Sequence, residues 1–106
     1  MISFSEFKQM EMKVGEVVSV ADHPNADKLI VMQVKIGDEQ RQIVAGLKQW
    51  YAPEDLQGKK IVVVTNLEPA VLRGEKSEGM LLAAQDGDNV VVLVPEKDVA
   101  SGSPVL

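Results

Sequence analysis

Cysteine is absent from this sequence, and histidine occurs only once, at His23. Disulfide bonds are therefore excluded, and a zinc site, which is normally built from cysteine and histidine ligands, is not expected. One histidine inside a turn also gives no basis for a serine–histidine–acid arrangement. These absences predict a domain that folds on its hydrophobic core alone, needs no metal or cofactor and is not an enzyme.

Long apolar runs are missing as well. No stretch approaches the roughly 20 apolar residues that a membrane helix requires, and the first residues do not resemble a secretory signal. We therefore expect a cytoplasmic protein without membrane association. Positive charge is also scarce, since 11 Lys and Arg stand against 16 Asp and Glu and the net charge is −5. Any nucleic-acid site must be local, and its binding should be sensitive to salt.

Short apolar stretches separated by turn residues make up most of the chain. They predict strands at 14–21, 29–36, 42–45, 60–65, 80–85 and 90–94, with an irregular strand in the tail. Short helices are predicted at 4–10, where Ser3 and Glu6 form a capping box, and near Pro53. A helix between the third and fourth strands is typical of the OB-fold. The prediction is one all-β domain over 1–106, a five-stranded Greek-key barrel with short helices and a C-terminal extension.

Two predicted loops carry more polar chemistry than a barrel connection needs. They span 23–28 and 66–80, and in OB-folds such loops flank a face that often binds oligonucleotides. An arginine can grip a phosphate, lysines add charge, amides and hydroxyls bond to sugars or bases, and methionine offers an apolar surface. The candidate binding residues are Lys28, Asn66, Arg73, Lys76, Ser77 and Met80.

Each of these candidates also has a plainer interpretation. Asn66 could satisfy loop backbone, Met80 could belong to the core, and Arg73 and Lys76 could be solvated surface charges. Trp50 and Tyr51 could stack on bases, although beside a short helix we favour a role in plugging one barrel end. His23 is expected to shape its own loop.

The chain resembles the tRNA-binding domain family, which occurs as free-standing dimers, at the C-terminus of many methionyl-tRNA synthetases and in the cytokine-precursor protein of animal synthetase complexes. The most specific strings are His-Pro-Asn-Ala-Asp-Lys-Leu at 23–29 and Leu-Arg-Gly at 72–74 followed by Ser-Glu-Gly-Met at 77–80. Further matches lie at 12–17, 41–47, 51–56 and 58–84. The resemblance implies a homodimer that binds tRNA by shape, without catalysis, as an appended domain or subunit of methionyl-tRNA synthetase.

One residue departs from the family pattern. Many relatives have a lysine where this chain has Glu68, so weaker and more salt-dependent binding is expected. Two alternatives stay open. A branch of the family resembles a secretion-associated chaperone that binds peptides in a dimer groove, which the acidic charge favours. The other alternative is a purely structural dimerisation module without tRNA affinity.

Overall fold

A computed structural model describes all 106 residues of the chain. It contains two short helices and ten strands, and every strand pairing is antiparallel. The elements are α1 (Phe4–Phe7), β1 (Met12–Asp22), β2 (Ile30–Ile36), β3 (Glu39–Ala45), α2 (Pro53–Leu56), β4 (Lys60–Val64), β5 (Ala70–Leu72), β6 (Glu75–Ser77), β7 (Met80–Leu81), β8 (Ala83–Asp86), β9 (Asn89–Val92) and β10 (Pro104–Val105).

The main sheet has the order β3-β2-β1-β4-β7, with β10 added beside β1. Strand β1 is long enough to pair with β2 through one half and with β4 through the other, which curls the sheet around the core. A register shift between Val17 and Ser19 marks an irregularity of the kind that bends a strand. This arrangement confirms the predicted all-β, OB-like class, with α2 between the third and fourth strands.

The core lies on the concave side of this sheet. In β2 the side chains of Ile30, Met32, Val34 and Ile36 are buried, while the intervening residues are half-buried or exposed. This two-residue period is that of a strand with one face in the core, and it confirms the strand predicted at 29–36. Each such side chain contributes roughly 1.5–3 kcal/mol when it is fully buried. Leu56 of α2 is also fully buried, so the short helix closes one end of the core.

Trp50 and Tyr51 lie at that same end. The Tyr51 ring packs against the core, and its hydroxyl accepts a hydrogen bond from the Val92 amide at 3.1 Å. The Trp50 indole donates to the Asp88 carbonyl at 2.7 Å. Both aromatic residues therefore tie the β8–β9 hairpin to the barrel, and Tyr51 packs on the core as the favoured interpretation of a plugged barrel end requires.

The N-terminal helix differs from its prediction. The Ser3–Glu6 capping box forms, but α1 ends at Phe7 instead of continuing to residue 10, and none of its residues is buried. Ile2 remains 68% exposed, so it does not form an effective hydrophobic staple with Phe7. The helix does not fold over a barrel end, because local capping bonds start one turn without supplying an apolar face to pack. Neither helix is long and apolar enough to span a membrane.

The region after β4 also differs in detail. The predicted loop at 66–80 contains a hairpin formed by β5 and β6, and the predicted strand at 80–85 changes partner at Leu82. Its first part pairs with β4, and its second part pairs with β9. The irregular strand expected in the tail is confirmed as β10, which pairs with β1.

Candidate nucleic-acid interface

The hairpin of β5 and β6 has Arg73 and Gly74 at its tip. Leu72 pairs with Glu75, so the connection has only two residues, and their φ angles are 54° and 94°. A two-residue turn with both φ angles positive is the type I′ turn, whose twist matches that of antiparallel strands. Arg73 is the only residue other than glycine with a positive φ. The fold thus places the predicted phosphate-gripping side chain at an exposed tip.

His23 fastens this tip to the loop between β1 and β2. Its side chain is only 6% exposed, and its Nδ1 accepts a hydrogen bond from the Asn25 amide at 2.9 Å. Because Nδ1 is the acceptor, Nε2 carries the proton and donates it to the Leu72 carbonyl at 2.8 Å. The prediction that His23 shapes its own loop is confirmed. No local sequence pattern indicates the second bond, which crosses 49 positions of the chain.

A shallow groove of about 430 Å³ lies between the two loops. Arg73 lines it from the hairpin, and Lys28 lines it from the β1–β2 loop. The Arg73 guanidinium also donates to the Asn25 carbonyl at 3.3 Å, which aligns it along the groove wall. Asp27 is the one carboxylate in the lining. Two cations that are 45 positions apart in the sequence therefore share one surface.

Lys76 lies on the outward face of the hairpin. In β6 the side chains alternate, so that Glu75 is half-buried, Lys76 is exposed and Ser77 is buried. Lys76 is paired across the hairpin with Val71, which is 70% exposed. Lys28, Arg73 and Lys76 have no carboxylate oxygen within 4 Å, whereas Arg41, Lys48 and Lys60 are each paired with an acid. The charges of these three cations are available to a ligand.

Ser77 points inward, away from this surface. It is 2% exposed, its hydroxyl accepts from the Val44 amide at 3.0 Å and it donates to the Gly79 carbonyl at 2.8 Å. Both hydrogen-bonding functions of the hydroxyl are occupied inside the domain. Ser77 therefore fixes the hairpin to β3 in this structure, where a sugar or base contact was expected.

Asn66 is also engaged with the protein itself. Its side-chain oxygen accepts from the Glu11 amide at 2.9 Å, and its side-chain nitrogen donates to the Gln9 carbonyl at 2.6 Å. These bonds match the plainer interpretation of Asn66, in which it satisfies backbone groups. Met80 is half-buried and begins β7 opposite Val64. Three of the six predicted residues are thus cations without an acidic partner, and two of these, Lys28 and Arg73, share a groove. The other three lie at the base of the hairpin.

Two residues of β3 hold the hairpin and were missed by sequence analysis. The Gln42 side chain donates to the Lys76 carbonyl at 2.8 Å, and the Gln42 carbonyl accepts from the Glu78 amide at 2.7 Å. The Arg41 guanidinium donates to the Thr65 and Glu78 carbonyls. In the sequence both residues look like ordinary strand residues, because their partners are determined only by tertiary structure.

Arg41 also affects a nearby acid. It forms an ion pair with Glu39, whose carboxylate accepts a hydrogen bond from the Arg41 Nε at 3.0 Å. This hydrogen bond, together with the charge of the guanidinium, lowers the pKa of the Glu39 carboxyl below its usual value of 4.5. The charge of Arg41 is thereby partly neutralised.

These features define a small β-barrel binding domain in which a hairpin that presents Arg73 and Lys76 lies beside a loop that presents Lys28. Comparison of the sequence with known families points to the same class of binding domain. The chain belongs to the family described as "Putative tRNA binding domain", whose model matches residues 12–104. It is a binding domain and not a catalytic one.

Known proteins similar to this chain agree with that family. It is 52% identical over 104 residues to a methionine–tRNA ligase of Thermococcus kodakarensis, an alignment that covers 98% of this chain and 14% of the ligase. It therefore spans about a seventh of that relative. Among solved structures, it is similar to a MetRS-related protein from Pyrococcus horikoshii, with a TM-score of 0.94, 36% identity and coverage of 100% and 98%. It is also similar to the chaperone CsaA from Bacillus anthracis, with a TM-score of 0.90, 29% identity and coverage of 100% and 99%.

Proposed function

We propose that this chain is a single domain over 1–106 that binds tRNA by its shape and backbone, largely independently of sequence, in the cytoplasm. It would act as a homodimer and as an appended domain or subunit of methionyl-tRNA synthetase. The observation that carries the proposal is that Lys28 and Arg73, from two separate loops, line one groove without carboxylate partners, with Lys76 exposed on the same hairpin as Arg73. Asn66 and Met80 at the base of the hairpin would add contacts, while Ser77 keeps the hairpin in place.

The geometry favours contacts with phosphates over the reading of bases. The groove is shallow, and its exposed polar groups are mainly charged side chains, which bind the phosphate backbone but carry no sequence information. Glu68 is exposed in the same segment and repels phosphate. Modest affinity is sufficient, because a domain attached to a synthetase adds its binding energy to that of the main tRNA site.

A titration with unfractionated tRNA at several salt concentrations tests this proposal. Three phosphate contacts predict saturable binding whose log–log salt dependence has a slope of about 2 to 3 in magnitude. Poly-glutamate at equal charge concentration serves as a control for nonspecific attraction to a polyanion. Absence of saturable tRNA binding even at low salt would contradict the proposed function.

The homodimer is supported by apolar side chains exposed at the two ends of the chain. Ile2 and Phe4 are about 70% exposed, Leu106 is 89% exposed, and Met10 is 46% exposed. Residues from both chain ends also line a common groove of about 200 Å³. Burial of this surface in a second copy would remove it from water. Light scattering after size exclusion should give twice the mass of 11.5 kDa, and Phe4→Ser should shift the protein towards monomer.

Peptide binding is the second candidate function. It is favoured by the 29% identity to a chaperone over the whole chain and by the net charge of −5. Competition between tRNA and an unfolded peptide separates the two functions. Saturable peptide binding that tRNA does not displace, together with no direct tRNA saturation, would favour the chaperone function. Dimerisation without binding of either ligand would indicate a structural module.

A further inference from the structure

Arg41 joins the two ends of the segment that carries the cationic hairpin. This hairpin segment, residues 66–79, leaves the barrel after Thr65 and returns through Glu78. The Nη1 atom of Arg41 donates to the Thr65 carbonyl at 2.5 Å and to the Glu78 carbonyl at 3.4 Å. The two partners are 13 positions apart in the chain, so one guanidinium closes the base of the whole segment.

The remaining contacts of Arg41 keep it in this position. Its Nε donates to the Glu39 carboxylate at 3.0 Å, and its side chain is 24% exposed. A planar guanidinium that is bonded on two sides has little freedom to turn towards solvent. Arg41 therefore differs from Arg73, which is exposed at the tip and has no acidic partner.

Gln42, the next residue of β3, holds the middle of the same segment. Its side-chain nitrogen donates to the Lys76 carbonyl at 2.8 Å and lies 3.4 Å from the Glu75 carboxylate. Its side-chain oxygen accepts from Gln33 at 3.0 Å, which fixes the orientation of the amide. The inward position of Glu75 keeps that negative charge off the face that presents Lys76.

We infer that Arg41 is a positioning residue for tRNA binding: it holds the hairpin segment closed at its base, with Gln42, and so orients Arg73 and Lys76 without contacting phosphate itself. This inference rests on the proposed function. Arg41 would thus act through its hydrogen bonds to the hairpin segment, and not through its charge.

The salt dependence of binding distinguishes a positioning residue from a phosphate contact. Removal of a contacting cation lowers the magnitude of the log–log slope by about 0.7–0.9, whereas loss of positioning lowers affinity without releasing fewer counterions. We expect Lys76→Gln to reduce the slope. Arg41→Gln should weaken tRNA binding by about tenfold at constant slope. Arg41→Lys retains the charge but lacks the planar guanidinium that donates to Glu39, Thr65 and Glu78 at once, so it should not restore wild-type affinity.

Amide hydrogen exchange tests the positioning role without tRNA. In Arg41→Gln the Glu78 amide, which donates to the Gln42 carbonyl, should exchange faster than in the wild type, while the β2 amides keep their protection. If Arg41→Gln does not fold, Arg41→Lys, which keeps the charge but cannot reach both carbonyls with one planar group, must show faster Glu78 exchange. Gln42→Met, which removes only the side-chain bonds to the hairpin, is the companion variant.

Three results would overturn the inference. They are a slope reduced as in Lys76→Gln, full rescue by Arg41→Lys, and unchanged Glu78 exchange in a folded variant. Failure of the wild-type chain to bind tRNA at low salt would instead overturn the proposed function, and the exchange experiment would still decide whether Arg41 holds the segment.

Discussion

Strand β3 meets its two neighbours in different ways. Towards β2 it forms a continuous ladder of seven residue pairs, from Ile30↔Ala45 to Ile36↔Glu39. Towards the hairpin segment it has one backbone bond, from the Glu78 amide to the Gln42 carbonyl, and otherwise relies on the side chains of Arg41, Gln42 and Ser77. A backbone ladder tolerates many side chains, whereas the second edge depends on three identities. Core substitutions should therefore cost the domain the most stability, whereas substitutions at the second edge should cost less and should also loosen the hairpin.

The largest loss of stability is expected from a substitution in the buried core. Ile61 in β4 is fully buried, and Ile61→Ala should lower the free energy of unfolding by about 2–5 kcal/mol through lost burial and the remaining cavity. Chemical denaturation measures this change. Val71→Ala, at a 70% exposed position of the hairpin, is the control and should change stability by at most about 0.5 kcal/mol. Equal losses of stability in the two variants would refute the distinction between the core and the hairpin.

Gly79 lies where the hairpin segment rejoins the barrel. Its φ is 141°, and an added Cβ would lie 2.8 Å from the Val64 carbonyl and 3.2 Å from Ile43. We expect Gly79→Ala to destabilise the domain by about 2–3 kcal/mol, because both backbone strain and overpacking act there. Gly87→Ala is the matched control, since Gly87 also has a positive φ of 58° but nothing within 4 Å of the added atom. Equal melting temperatures of the two variants would show that the close contact is unimportant.

The contrast between the two edges of β3 also explains what the sequence could reveal. The alternation from Ile30 to Ile36 follows from burial on one face, so strands, core and fold class were predictable from local pattern. The two loops with their cations were found by composition. The hairpin within 66–80 was missed because Arg73 is an uncommon first residue for a type I′ turn. The internal hydrogen bonds of Ser77 and Asn66 depend on partners such as Val44 and Glu11, which no local pattern reveals.

A substitution of Ser77 tests the edge between β3 and the hairpin segment directly. Ser77→Ala removes the hydroxyl that bridges the Val44 amide and the Gly79 carbonyl, so two buried backbone groups lose a partner. We expect a loss of about 1–3 kcal/mol in unfolding free energy, with no change in the salt slope of tRNA binding. Ser19→Ala, on the exposed part of β1, is the control. A reduced salt slope or a selective loss of affinity without loss of stability would instead indicate that the hydroxyl contacts the ligand.

The smallest expected effect concerns the pair between Glu39 and Arg41 at the end of that edge. Arg41 lowers the pKa of Glu39 below 4.5, mainly through the side-chain hydrogen bond. A carboxyl group whose pKa is lower in the folded state stabilises it above the unfolded pKa, and this contribution is lost as pH falls through the folded value. Wild-type stability should therefore decrease more steeply than that of Glu39→Gln below about pH 4.5. Because Glu39 is exposed to solvent, the difference should be small and should shrink in high salt. Identical acid-unfolding curves at low salt would mean that the ion pair with Glu39 does not add to stability. Arg41 would then be held only by its hydrogen bonds to the Thr65 and Glu78 carbonyls.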